Sequence, residues 1–131
     1  MKITADTNVL VRALVRDDPQ QAQAAADALL SATLVAVALP SLCELVWVLR
    51  RVYGFGEADA AAAVRALMAA SNVQANRPAV DAGLAVLEAG GDFADGVIAF
   101  EGHWLGGETF VSFDKQAVAL LQAQGQTARS L

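Results

Sequence analysis

Four acidic residues carry most of the chemistry this sequence has to offer: Asp6, Glu44, Asp95 and Asp114. Each stands beside a strand-like run or near a helix start. A set of carboxylates with no His or Cys among them suits hard divalent cations such as Mg²⁺ or Mn²⁺. Such a site favours attack on phosphate, because the metal would acidify a water and steady charge on the phosphoryl oxygens. Each acid also has a plain structural use. Asp6, Asp95 and Asp114 stand where helix N-caps would, and Glu44 closes an S-x-x-E capping box that starts at Ser41. Negative charge at a helix N-terminus stabilises by about 0.3–1 kcal/mol. Taken one at a time, capping explains each acid better. Capping does not explain why all four fall at one edge. Ser, Thr or Asn would cap as well, and clustered carboxylates repel unless a cation neutralises them.

Other chemistries have less support. His103 is the single histidine, set in a helical pattern beside Trp104, and reads as a surface or partly packed residue. No nucleophile motif surrounds any Ser. Cys43 lies in an apolar helical run and reads as a core residue. Neither G-x-G-x-x-G nor G-x-x-x-x-G-K-[ST] occurs, so nucleotide-cofactor folds are unsupported. An aspartyl-phosphate site competes for an Asp at the end of the first strand. It usually needs a second acid at the same place, where this chain has Thr7-Asn8.

The elements that must position these acids alternate along the chain. The reading is a strand over 2–5, a helix over 8–16, and a helix from Asp18-Pro19 to about Ala32. A strand follows over 33–39, broken by Pro40, then an apolar helix ending at Gly54. Residues 57–71 are helical, and 73–76 read as a short strand or an extended connection. Helices follow from Pro78 to Gly90-Gly91 and from about Asp95 to Trp104. "TFVSF" (109–113) is a strand, "KQAVALLQAQG" a helix and "QTARSL" a short edge strand. Strands alternating with helices predict a parallel sheet covered on both faces, with ligands outside the carboxyl ends of its strands. That edge is where Asp6, Glu44 and Asp114 emerge, and where the helix carrying Asp95 begins.

The totals fit one domain over 1–131. The chain is 56% hydrophobic, enough for a core at 131 residues. One cysteine excludes an internal disulfide and a Cys-based zinc site, and a reduced, cytoplasmic setting is the simplest expectation. No apolar run reaches the roughly 18 residues of a membrane span, and no signal peptide is visible. With 14 acidic against 9 basic residues the net charge is -5, which argues against broad electrostatic binding of nucleic acid. It leaves room for a nucleic-acid enzyme whose acids are loaded with cations.

Four segments, "DTNVLVRALVRDDP", "LCELVWVLRRVYG", "DFADGVIA" and "TFVSFDKQA", are spread from Asp6 to Ala117 in a familiar order. With them the sequence resembles the PIN-domain ribonucleases, and most closely the VapC-type toxins of type II toxin–antitoxin modules. The resemblance implies an α/β PIN fold, a central parallel sheet of four or five strands sandwiched by helices. It implies Mg²⁺- or Mn²⁺-dependent cleavage of RNA with one or two ions. Asp6, Glu44, Asp95 and Asp114 match the family's four acids, and Asp92 matches an auxiliary one. Thr7 and Ser112 match small hydroxyl positions that orient the acids, and Asn8 the polar residue beside them. Nothing departs from the pattern at the four core acids.

The resemblance further implies a homodimer and a cognate antitoxin covering the active-site groove. Trp47, Tyr53 and Phe55 could supply such a surface, although Trp47 reads equally well as core. Arg12, Arg16 and Arg50 could steer the RNA backbone, with duty on a solvated face the stronger reading for each. Two other readings stand beside the nuclease: a catalytically silent PIN-like module that binds protein or RNA, and a small-molecule phosphatase on a similar sheet.

Overall fold

The computed structural model describes all residues, 1–131. They fall into two compact units, Met1–Asn76 and Arg77–Leu131.

The first unit contains β1 (Lys2–Thr4), α1 (Thr7–Val15), α2 (Pro19–Ser31), β2 (Leu34–Ala36), α3 (Leu39–Arg51), α4 (Glu57–Ala69) and β3 (Val73–Gln74). The strands form a parallel sheet in the order β1-β2-β3, with Ile3 opposite Val35 and Val35 opposite Val73. Parallel strands need crossovers, and the pairs α1–α2 and α3–α4 provide them. β2 carries fully buried Val35 between them, as expected of a strand covered on both faces. Leu10 of α1 and Leu42, Leu45 and Leu49 of α3 are buried at three- and four-residue spacing, the apolar stripe of a packed helix. Asn72 supplies the end of α2, donating from Nδ2 to the carbonyls of Leu29 (2.9 Å) and Ala32 (3.0 Å). These are carbonyls that a helix terminus leaves without a partner.

β2 is shorter than the expected 33–39, because α3 starts at Leu39 and takes Pro40 into its first turn. Proline is tolerated there, where its missing N–H would have no helical partner. It therefore opens the helix and does not merely break the strand. Ser41 and Glu44 lie inside α3 and form no capping box; the N-cap is Ala38, which has no side-chain hydrogen bond. Of the 73–76 segment, only Val73–Gln74 form the strand β3.

The second unit contains α5 (Arg77–Glu88), α6 (Phe93–Trp104), β4 (Phe110–Ser112), α7 (Lys115–Ala123) and β5 (Ala128–Ser130). β4 and β5 pair in parallel, Val111 opposite Arg129, so "QTARSL" does end in a strand. Of the four or five strands expected in one central sheet, five are present and parallel, but they are hydrogen-bonded as a set of three and a set of two. Val86, Ala99, Val118, Leu121 and Ala128 form the core of this unit, with Phe110 and Leu120 against it. α5 and α6 pack closely because glycines remove side chains at the contact: a Cβ on Gly96 would collide with the Ala82 carbonyl.

Candidate active site

In the first unit, β1 and β2 end in register, and the Ala5 N–H donates to the Ala36 carbonyl at 3.1 Å. The chain then turns at Asp6, which has extended backbone angles and caps α1 by accepting the Val9 N–H on Oδ1 at 3.0 Å. Asp6 is exposed. Glu44 is the sixth residue of α3, a helix turn beyond the start of that element, and is exposed. Thr7 opens α1 half-buried, and exposed Asn8 lines a cleft of about 350 Å³ with Asp6, Arg12 and Gln21.

In the second unit, the helix carrying Asp95 starts earlier than its sequence suggests. Asp92 is the N-cap, accepting the Ala94 N–H on Oδ1 at 3.2 Å. Asp95 lies in the first turn, and its N–H donates to the Asp92 carbonyl at 3.1 Å. Two Asp three residues apart suit either register, and the chain uses the first as cap. The cap explanation for Asp95 therefore falls away. Asp114 caps α7, its Oδ1 accepting from Gln116 N (3.0 Å) and Ala117 N (3.1 Å). Ser112 Oγ accepts the Asp114 N–H at 2.9 Å and so holds the backbone that carries this acid.

Partial burial raises the Asp95 carboxyl above its ordinary value of 3.8, and the charges of Asp92 and then Asp114 raise it further. The Asp95 carboxyl thus stands within reach of two neighbouring negative charges. A divalent cation would relieve that repulsion, and the all-oxygen donor set fits a hard ion. Asp92 and Asp114 each cap through one oxygen, Oδ1, as Asp6 does. No three side chains from His, Cys, Asp and Glu stand as a ready-made cage.

Of the arginines, Arg12 pairs with Asp17 at 3.1 Å and Arg50 with Glu57 at 3.8 Å. Arg16 is exposed at the C-cap of α1, with φ at 60°. His103 is exposed at the end of α6. Cys43 is half-buried rather than core, because it lies off the leucine stripe of α3. Trp47 is 57% exposed, which excludes the core reading, while Tyr53 and Phe55 are half-buried. Sequence reasoning missed the bond from Tyr53 Oη to Asp17 Oδ2 (3.0 Å), made between residues 36 positions apart. No local pattern announces such a contact.

The PIN domain family model matches residues 3–120. The chain belongs to the PIN domain family. No curated protein shows a significant match to it. The PIN domain is a nuclease-type fold, and PIN domains are typically nucleases that use divalent metal ions. No helix of this PIN domain is long and apolar enough to cross a membrane.

Proposed function

We propose that this PIN domain is an endoribonuclease dependent on Mg²⁺ or Mn²⁺, with one or two ions held by Asp6, Glu44, Asp95 and Asp114, and with Asp92 as an auxiliary ligand. The two units act as one domain in this reading, which the family match running through both supports. The observation that carries it is the economy of the carboxylates. Asp6 and Asp114 each spend one oxygen on a helix cap and keep one for a ligand. Asp95, inside its helix, is raised first by partial burial and then by the charges of Asp92 and Asp114, and a bound cation would offset both.

Bound cations would supply charge to the phosphoryl oxygens and acidify the attacking water. The chain's own residues do the positioning. The α1 and α7 caps fix the directions of Asp6 and Asp114, and Ser112 fixes the backbone of Asp114. Thr7 and Asn8 follow Asp6 as the first two residues of α1. The substrate is RNA, with Arg12 and, more weakly, Arg16 and Arg50 meeting its backbone.

The VapC-like resemblance extends the proposal to the toxin role in the cytoplasm, with a homodimer and a cognate antitoxin. Exposed Trp47 and Val52 on and just after α3 suit such a protein surface. The deciding assay is cleavage of single-stranded RNA with Mg²⁺, with chelator, and with Asp6→Asn. Cleavage that survives both chelator and Asp6→Asn overturns the metal mechanism. RNA binding without cleavage under every metal condition favours the silent binding module instead. Size-exclusion chromatography tests the dimer, and a clean monomer at high concentration removes it.

A further inference from the structure

Arg12 differs from the other arginines in where it stands and in what holds it. It lines the cleft between α1 and α2 that also contains Asp6, Asn8 and Gln21, which Arg16 and Arg50 do not line. Its Nη1 donates to Asp17 Oδ1 at 3.1 Å, and the other oxygen of Asp17 accepts the Tyr53 hydroxyl at 3.0 Å. The chain reaches this arrangement through Arg16, whose left-handed φ of 60° ends α1 and returns Asp17 toward Arg12. A non-glycine residue in that region is uncommon and carries some backbone strain.

We propose that Tyr53 and Asp17 are positioning residues that fix Arg12 as the clamp for an RNA backbone phosphate in the Asp6 cleft. This rests on the ribonuclease reading. A phosphodiester entering beside Asp6 meets a like charge, and in a chain of net charge -5 a local cation must offset it. A guanidinium has five N–H donors in a planar fork that matches phosphate, and only part of it is used on Asp17. Left alone, an arginine side chain samples many rotamers. Asp17 holds one edge of it, and Tyr53 holds Asp17. The geometry carries the role: one Asp17 oxygen is taken up by Arg12 and the other by the Tyr53 hydroxyl, a hydrogen bond that is also the largest cause lowering the Asp17 carboxyl below its ordinary value. Gln21 and Asn8 add neutral amide donors along the same cleft.

The test is binding of a fluorescein-labelled single-stranded RNA oligonucleotide by anisotropy, in EDTA, across a range of salt, with thermal unfolding of each variant. Arg12→Ala should weaken binding roughly tenfold and reduce the salt slope by about one. Arg12→Lys should restore the salt slope but only part of the affinity. Tyr53→Phe should weaken binding a few-fold, and this effect should vanish in the Arg12→Ala background. Asp17→Asn is the sharpest variant. It removes a negative charge, which by long-range electrostatics alone would tighten RNA binding, whereas loss of positioning weakens it. Tighter binding by Asp17→Asn, or a Tyr53→Phe penalty that persists without Arg12, overturns the proposal, as does wild-type protein that binds no RNA in EDTA. Wild-type protein that binds through Arg12 but never cleaves defeats the nuclease reading and leaves the clamp standing. Metal-dependent cleavage with no Arg12 effect on binding does the reverse.

Discussion

Gly83 of α5 lies against the ring of Phe93, the first residue of α6, so closely that a Cβ there would stand 2.6 Å from ring carbon Cε2. Phe93 is fully buried and cannot swing aside. Three residues on, Gly96 meets the Ala82 carbonyl in the same way, and that obstacle is backbone. Together they set the start of α6, and with it Asp92 and Asp95. In an open helix, Gly→Ala would stabilise by up to about 1 kcal/mol. Here the contact reverses the sign. Gly83→Ala and Gly96→Ala should each destabilise by about 1–3 kcal/mol in denaturant unfolding, the usual cost of overpacking. Gly102 has open space where its Cβ would go, so Gly102→Ala in the same helix should be neutral or stabilising.

Capping and catalysis can be separated at Asp6, because Asn caps a helix about as well as Asp. Asp6→Asn should leave the midpoint of urea unfolding nearly unchanged in chelator, while RNA cleavage falls by roughly 10²-fold or more, the scale of losing one charge-stabilising group. Asp6→Ala loses the bond to the Val9 N–H as well and should cost about 1 kcal/mol in addition. Equal losses of activity and stability in the Asn variant would reduce Asp6 to a cap.

The order of elements was legible because the sequence punctuates it. Asp18-Pro19 starts α2 where expected, and apolar "TLVAVAL" marks β2. What failed were choices between two chemically sound local registers. Ser41-x-x-Glu44 and Ala38-Leu39-Pro40 both describe a helix start, and the chain uses the second. Asp92 and Asp95 compete in the same way, and the structure gives the cap to Asp92. The bonds from Asn72 to α2 and from Tyr53 to Asp17 join residues about 40 positions apart, beyond any periodicity. At the site, the residue types pointed to the acids, whereas the electrostatic coupling of Asp95 to Asp92 and Asp114 needed coordinates.

The α3 register makes a direct prediction. A capping box would cost about 1 kcal/mol when either partner is removed. With Ala38 as N-cap, Ser41 and Glu44 satisfy no helix terminus. Ser41→Ala and the exposed Glu44→Gln should each stay within about 0.5 kcal/mol of wild type in chelator. Glu44→Gln should nonetheless depress metal-dependent cleavage. A stability loss of 1 kcal/mol in both would restore the box.

Asp95 and Asp17 should give opposite pH dependences. The carboxyl of Asp95 is raised in the folded protein by partial burial, then by Asp92 and Asp114. The native state therefore holds its proton more tightly than the unfolded chain does. The resulting stabilisation is fully present below the unfolded value near 3.8 and is lost as pH rises through the higher folded value, so ionised Asp95 burdens the metal-free protein at neutral pH. Asp17 is lowered, chiefly by the Tyr53 hydroxyl, so its contribution is present above 3.8 and disappears as pH falls through its lower folded value. In chelator at about pH 8, Asp95→Asn should thus melt at a higher temperature than wild type, with the gap closing as the pH is lowered toward 4. Tyr53→Phe should show the reverse, a deficit at neutral pH that shrinks in acid. Saturating Mg²⁺ should invert the Asp95 result, because a cation that binds only the folded state adds about 2.7 kcal/mol at a hundredfold excess over its Kd, and the Asn variant forfeits much of that gain. Thermal melts across pH, with and without Mg²⁺, read all three signs, and an Asp95→Asn protein less stable than wild type in chelator at every pH would show that its carboxylate is held by favourable contacts and not set against its neighbours.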